Sequence, residues 1–455
     1  LDIAFRKVID RSCFTRVSDI GWAVAQLSPS RGGLGLPQPS SFAHHAFLAS
    51  FITASSSLPR LFPSLASLFP PLLGGSSSPL PPRSLHALLA LQFLLQLSPA
   101  VSDCISGAFS SPIPVSHLQR KLFHFSEEAR YQSLFQSPPP RHRACLLSHA
   151  GDSYGPFTIP YSSQQCLSNA TWMLSASRRL LQPIFDSPSS LLCPVCSRHC
   201  LDPFGDHLLS CTSGTFARKS FWHDPVEKVV SSFLSSLGWS HSTQIPISLV
   251  GPTSDNDHRR PDLAVFHRGS SSQLRVFDIV TVHASAPSYV SSGSASSAGS
   301  AARSAANAKL TKYEQACVSN GHSFEPLAIE DGGRLGLVFS KFISHAVHSA
   351  VSESHCNFHA TFTYWNQRLA STNMRGVSAL ILSRLPQPSA ESPPSPGHFQ
   401  LTADSPRIFL DNSPPSISRL PSSSRPRGPL APDWASPQLQ TVLSSSPVFS
   451  LGSFP

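Results

Sequence analysis

Two aspartates, Asp262 in "RRPDLAV" and Asp278 in "LRVFDIVTV", lie on two apolar runs that read as neighbouring strands. A carboxylate inside an apolar run is costly to bury unless something compensates its charge. Two such groups on adjacent strands of a hairpin can share one divalent cation. Mg²⁺ held there would lower the pKa of a bound water, and a nearby lysine would stabilise the charge that builds on a phosphate under attack. The candidate cations are Lys309 and Lys312, which with Tyr313 occupy i, i+3 and i+4 of one helical face. A lysine two residues after the second acid would be the simpler arrangement, but Val280 stands there. Glu227 is a candidate third acid at the start of a preceding amphipathic helix, where it also fits a capping box with Asp224.

A second constellation lies upstream in "CPVCSRHCLDPFGDHLLSC". Cys193 and Cys196 form a C-x2-C turn, and His207 and Cys211 follow as H-x3-C, so that the last two share one helix face. Two thiolates on a tight turn and two ligands one helical turn apart can converge tetrahedrally on Zn²⁺. His199 and Cys200 compete as ligands. A site closed by four protein ligands is structural, because no coordination position stays open for a substrate.

The elements that position these groups are legible in the periodicity. "DPVEKVVSSFLSSLG" reads as a helix with Asp224 as N-cap, Pro225 at the first helical position and Gly238 as stop. Strand-like runs are expected at 244–250, 261–267 and 274–283. A helix near 300–319, a short strand in "FEPLAIE" and a helix near 334–352 complete a compact α/β pattern. Upstream, residues 1–50 read as helical around a Gly32–Gly35 turn, and helical signals resume at 84–98 and 115–136. "HALLALQFLLQL" is too short to span a bilayer and reads as a buried helix. Residues 52–83 read as a poorly ordered Ser/Pro-rich insert, and the tail beyond about Leu385 lacks periodicity.

Composition adds bounds. The 455 residues include 43 prolines and carry a formal charge of +9, which mildly favours a polyanionic partner. Four of the ten cysteines crowd between Cys193 and Cys211, the spacing of a metal site in a reducing compartment. A nuclear or cytoplasmic protein is therefore expected, with no membrane association. Because the chain opens on Leu1, a fragment of a larger product is expected.

In order, the Cys-Cys-His-Cys knuckle, "GDHLLSC", Arg218 and His223, "RRPDLAV", "FDIVTV", "AKLTKYEQAC" and "GHSFEPLAIEDGG" resemble the carboxy-terminal region of non-LTR retrotransposon polyproteins. The segment Trp22-x4-Leu27-x4-"GGLGL" is similar to the one that follows their reverse-transcriptase domain. The resemblance touches about 19–50 and 180–342. It implies an α/β fold with a restriction-endonuclease-like, PD-(D/E)XK core over 216–352. Around that core it implies a mainly helical region 1–186, a zinc knuckle 187–213 and a disordered tail 385–455. It further implies that Asp262 and Asp278 bind Mg²⁺, that Lys309 or Lys312 with Tyr313 is the displaced basic element, and that His223 matches an Arg/Lys-His-Asn position, with Asp224 where Asn is common. DNA, RNA and the remaining parts of a polyprotein are the implied partners. No Tyr/Phe-x-Asp-Asp signature is present, so the chain is not a complete reverse transcriptase. Three functions follow as expectations: a metal-dependent DNA endonuclease region, a zinc-dependent nucleic-acid binder without catalysis, and an inactive retroelement remnant.

Overall fold

The computed structural model describes residues 2–385 apart from 14–15, 37, 62–81, 99, 111–116, 137, 152–156, 158–164, 186–190, 247–258, 267–272 and 354–356. It is a mixed α/β structure. The amino-terminal half is helical: α1 (Asp2–Asp10), α2 (Asp19–Ala25), α3 (Pro39–Leu61), α4 (Pro82–Leu97), α5 (Ala100–Ser110), α6 (Leu118–Gln136), α7 (Pro140–His149) and α8 (Asn169–Arg179). Gly32 and Gly35 both adopt positive φ, +90° and +69°, which makes the expected turn after α2. Helix α4 buries Ala87, Ala90, Leu91 and Leu94 against α3, α5 and α6, as the apolar run predicted. Among the described residues no helix is long and apolar enough to cross a membrane.

One expectation about this half changes. Helix α3 continues to Leu61, so residues 52–61 of the supposed insert are helical; the rest of that insert, 62–81, lies outside the described residues. The tail from 386 onward also lies outside them.

The carboxy-terminal half is built on a four-stranded sheet of order β1 (His241–Thr243), β2 (Leu263–Phe266), β3 (Leu274–Val282) and β4 (Ser323–Glu330). Its first two pairings are antiparallel and the third, β3 with β4, is parallel. A parallel pair requires a crossover, and α13 (Ser300–Val318) supplies it after the short α12 (Pro287–Tyr289). A strand forms at His241–Thr243, just before the run expected at 244–250, of which 247–250 lie outside the described residues. Gln244 turns to φ +53°, and its N–H still donates to Asp262 O at 2.7 Å, one step beyond the last paired residues.

Strand β3 is covered on both faces, which is why its sequence is nearly continuously apolar. Phe277 and Ile279 face the main core with Val229, Val230 and Phe233 of α11 (Asp224–Ser236) and Phe339, Phe342 and Ile343 of α14 (Leu337–Glu353). The alternate residues Val276, Val280 and Val282 face α13. Asp278 shares their parity and therefore their face.

The long helix α15 (Phe358–Leu382) has no counterpart among the expected elements. It buries Trp365, Leu369, Val377, Leu380 and Ile381 in the same core, where Phe233 meets Trp365 at 5.2 Å and Phe277 meets Phe342 at 4.8 Å. Such aromatic pairs contribute about 0.5–1.5 kcal/mol each beyond the area they bury. The same core contains Cys193, Leu201, Leu208, Leu209 and Cys211, so the knuckle packs directly onto the α/β unit.

Candidate functional site

The register of β2 and β3 decides whether the two aspartates meet. Leu263 pairs with Phe277, so the next step along the ladder sets Asp262 opposite Asp278, and directly opposed residues share a face. The ladder stops there for a local reason. Pro261 has no N–H to give, and the N–H and C=O of Ile279 are taken by side chains instead. Ile279 N–H donates to Asp262 Oδ2 at 2.7 Å, and His223 Nε2–H donates to Ile279 O at 3.1 Å and to Asp262 Oδ2 at 3.2 Å. The Pro-Asp pair thus ends the strand and folds its carboxylate back over the neighbouring one.

Gln244, opposite Asp262 on the other side, donates from Nε2 to Asp262 Oδ1 at 3.1 Å and to Glu227 Oε2 at 3.2 Å. Sequence reading missed Gln244; its only signal was a polar residue where a strand was expected to begin. Through it Glu227 joins the acid group.

The capping box expected for Glu227 does not form. Helix α10 (Thr215–Arg218) runs through a π-turn, residues 219–223, into α11, so Asp224 lies inside a continuous helix at φ −61°, ψ −37°. Pro225 lacks the N–H that an α-turn would direct at Phe221, and the Asp224 N–H reaches back to Lys219 O in π fashion. The Asp224 carboxylate accepts from Lys219 Nζ at 2.6 Å and from His223 Nδ1 at 3.2 Å, so it caps nothing.

The two candidate lysines on α13 meet different partners. Lys309 Nζ lies 2.7 Å from Asp278 Oδ2, while Lys312 points to solvent over the Tyr313 ring at 4.7 Å. The position two residues after the acid, Val280, faces α13 and packs with Ala301, Ala302 and Ala305. The charge comes instead from α13, which packs over that face. Tyr313 is buried with Ala264, Val276, Cys317 and Phe324, and its phenol is pushed up to about 12 by burial and by Asp278.

Electrostatics tie the group together. Asp262, Asp278 and Glu227 are all buried, at 6%, 2% and 8% exposure. Burial, and then the charge of Asp262, raise the carboxyl pKa of both Asp278 and Glu227. Burial pushes Asp262 the same way, but its hydrogen bonds from His223 and Ile279 outweigh it and hold Asp262 below the ordinary range. Burial opposes charge on His223 too, yet Asp262 and Asp224 lift it to about 9. Its carboxylate partners thus favour the imidazolium at neutral pH, and its ring nitrogen lies within 4.8 Å of carboxylate oxygens of Asp224 and Glu227, a group close enough to share an ion.

The knuckle forms a complete ligand set. The ligand atoms of Cys193, Cys196, His207 and Cys211 all lie within 4.8 Å of one another. Cys193 Sγ is 4.0 Å from Cys211 Sγ, and Cys196 Sγ is 3.4 Å from His207 Nε2. Four ligands around Zn²⁺ at about 2.3 Å for sulfur set a thiolate–thiolate separation of about 3.8 Å, so the set fits zinc. Of the competing ligands, Cys200 is exposed and outside the set, while His199, with Nδ1 3.5 Å from Cys196 and its ring 5.0 Å from that of His207, is not part of it. Backbone N–H groups of the turn, led by that of Arg198, lower the Cys196 thiol to about 5, which favours the ligating thiolate. Asp202 holds the second half in place: its Oδ2 accepts from His207 N–H at 2.7 Å and its Oδ1 from Asp206 N–H at 3.0 Å, which organises the start of α9 (Asp206–Ser210).

A buried ionic network joins the helical half, the knuckle and the sheet, and it had no place in the sequence reading. Arg178 of α8 donates to Asp331 Oδ2 at 2.7 Å and to Asp206 Oδ1 at 3.2 Å. His283 Nδ1, at the end of β3, is 2.9 Å from the same Asp331 oxygen, and Arg141 grips Asp206 bidentately at 2.7 and 3.0 Å. Despite burial, the surrounding cations hold both Asp206 and Asp331 well below the ordinary carboxylate range, His283 contributing most.

Neither known protein families nor curated proteins match the chain.

Proposed function

We propose that this chain is the endonuclease region of a retroelement-like polyprotein, nicking DNA by metal-assisted phosphodiester hydrolysis on a restriction-endonuclease-like core. The observation that carries the reading is the opposition of Asp262 and Asp278 on adjacent strands, with Lys309 arriving from the crossover helix at 2.7 Å from Asp278. Three buried carboxylates, two of them raised in part by the third, would offer hard oxygen donors of the kind Mg²⁺ takes. Asp262 and Asp278 would hold the ion, which when bound lowers the pKa of a coordinated water. Lys309 would exchange its contact with Asp278 for an oxygen of the scissile phosphate and stabilise the charge that develops there. The His223 imidazolium and the Ile279 N–H orient Asp262, and Gln244 couples Glu227 to it. The zinc knuckle, closed by four protein ligands, serves structure and grip on nucleic acid.

The test is Mg²⁺-dependent nicking of supercoiled DNA by the full chain. Asp262→Ala and Asp278→Ala are expected to abolish it. Equal nicking by wild type and Asp262→Ala would refute the assignment.

A second reading, a zinc-dependent nucleic-acid binder without catalysis, has the Lys309–Asp278 ion pair in its favour, since that pair neutralises one acid without any metal. It expects no nicking by the wild type, together with salt-sensitive DNA binding that Cys193→Ser weakens and Asp262→Ala leaves intact.

A further inference from the structure

Lys312 has no part in the acid group, yet it belongs to a second cluster beside it. Three cations surround the single ring of Tyr313: Lys312 Nζ at 4.7 Å from its centroid, Lys309 Nζ at 5.7 Å and the Arg259 guanidinium at 5.9 Å. Arg259 also donates to the backbone carbonyl of Lys312, which ties the segment leading into β2 to the face of α13. The ring itself is buried in a small core with Ala264, Val276, Cys317 and Phe324, so the platform is rigid. Lys312 is exposed and makes no ion pair among the described residues.

Three cations each within 6 Å of one ring centroid are close on the scale of a Debye length, about 8–10 Å, so each raises the potential at the next. The face of a tyrosine ring offsets part of that repulsion, and an anion bound between the cations would offset the rest. Lys309 and Lys312 are one turn apart on α13, and Lys309 is committed to the acid group. An anion at Lys312 would therefore sit one helical turn along α13 from the group on which Lys309 acts.

We propose that Lys312, Arg259 and the Tyr313 platform form a docking site for a DNA backbone phosphate adjacent to the scissile one. The site rests on the endonuclease reading for its neighbour, but its own chemistry is anion binding and is measured separately. It makes Lys312 a positioning residue, distinct from Lys309.

The experiment measures binding of a fluorescently labelled DNA duplex to the full chain across a salt series, in buffer without added Mg²⁺ so that binding is read apart from nicking. Lys312→Gln is expected to weaken binding several-fold at fixed salt and to reduce the slope of log K against log salt by about 1, the signature of one lost phosphate contact. Lys312→Arg is expected to restore the slope, and Lys121→Gln, an exposed lysine of α6, to leave it unchanged. An unchanged slope in Lys312→Gln, an equal loss in Lys121→Gln, or a wild type without salt-dependent DNA binding would each overturn the proposal. Nicking assayed in parallel separates the two readings. Asp262-dependent nicking with an unaffected slope removes the phosphate site alone, and a reduced slope without nicking removes the nuclease alone.

Discussion

The substitution Arg178→Met tests the buried network most directly. Arg178 is 3% exposed and sits between Asp331, 5% exposed, and Asp206. Methionine keeps most of the side-chain volume and removes only the charge and its donors. Asp331 would retain two partners, His283 Nδ1 and the N–H of Ala284, each at 2.9 Å, and Asp206 would retain Arg141. Removing one partner of a buried pair costs about 3–5 kcal/mol, because the remaining charge stays desolvated. That is a large share of the roughly 5–15 kcal/mol that stabilises a typical fold. The shift is about 2–4 °C per kcal/mol for domains of 150–250 residues and smaller for longer chains, so the melting temperature is expected to fall by several degrees. Thermal unfolding followed by tryptophan fluorescence suits the assay, since Trp222 and Trp365 are buried in the core. Arg178→Lys is expected to recover only part of the loss, because an ammonium cannot reproduce the guanidinium fork. In a double-mutant cycle with Asp331→Asn, the two losses are expected to be non-additive by about 0.5–3 kcal/mol. A shift below about 1 kcal/mol for Arg178→Met, or strict additivity in the cycle, would refute the argument that this network holds the three regions together. Because Asp331 is depressed in the folded state, its contribution is present above the unfolded carboxyl value and is lost as pH falls below about 4. The wild type is expected to lose its advantage over Arg178→Met in that acid range.

The purified chain is expected to carry one zinc per molecule by elemental analysis, and Cys193→Ser to lose it and to melt at lower temperature, since Cys193 lies in the main core. Glu330 is buried and raised to about 7, chiefly by burial, so the stability of its protonated form is present below the unfolded value and is lost as pH rises from about 4.5 towards 7. Glu330→Gln, whose Oε1 can still accept from the N–H of Ala302, is expected to flatten that loss in a melting-temperature series across pH. Gly376→Ala is expected to cost about 1–3 kcal/mol in urea unfolding, because a Cβ there would stand 2.8 Å from Phe221 O and 2.9 Å from Trp222 Cα at the π-turn, where backbone cannot yield.

Much of the acid site was legible because its carriers are strongly patterned. A nearly continuous apolar run placed Asp278 within a strand, and Pro261 marked the strand start at Asp262. The three-residue spacing put Lys309 and Lys312 on one face, but only the azimuth of α13 against β3 separated them. Glu227 illustrates the opposite case. "D-P-V-E" satisfies a capping pattern, yet the helix had already begun at Thr215, and local signals cannot report on a turn that is continued from upstream. Gln244 and the ionic network were invisible for another reason: their partners are remote in sequence, and Arg178 and Asp331 are 153 residues apart. Helix α15 buries Gln367, Asn373 and Ser378 as well as its apolar residues, so its apolar periodicity is diluted. Asn373 offsets the cost of that burial by accepting from Trp222 Nε1 at 2.7 Å and donating to Glu330 O and Asp331 O.

Placing the lysine on a helix rather than on the strand beside its acid changes how the site responds to insertions and deletions. One residue added to a strand flips every later side chain to the other face, whereas one residue added to a helix rotates the downstream positions by about 100°. Between Gly299, whose positive φ of +72° starts α13, and Lys309, any change of length therefore swings the ammonium away from Asp278. The turns between Val282 and Gly299 lie outside that constraint, and it is in them, rather than in the helix, that related sequences can vary in length while keeping the charge where the acids meet it.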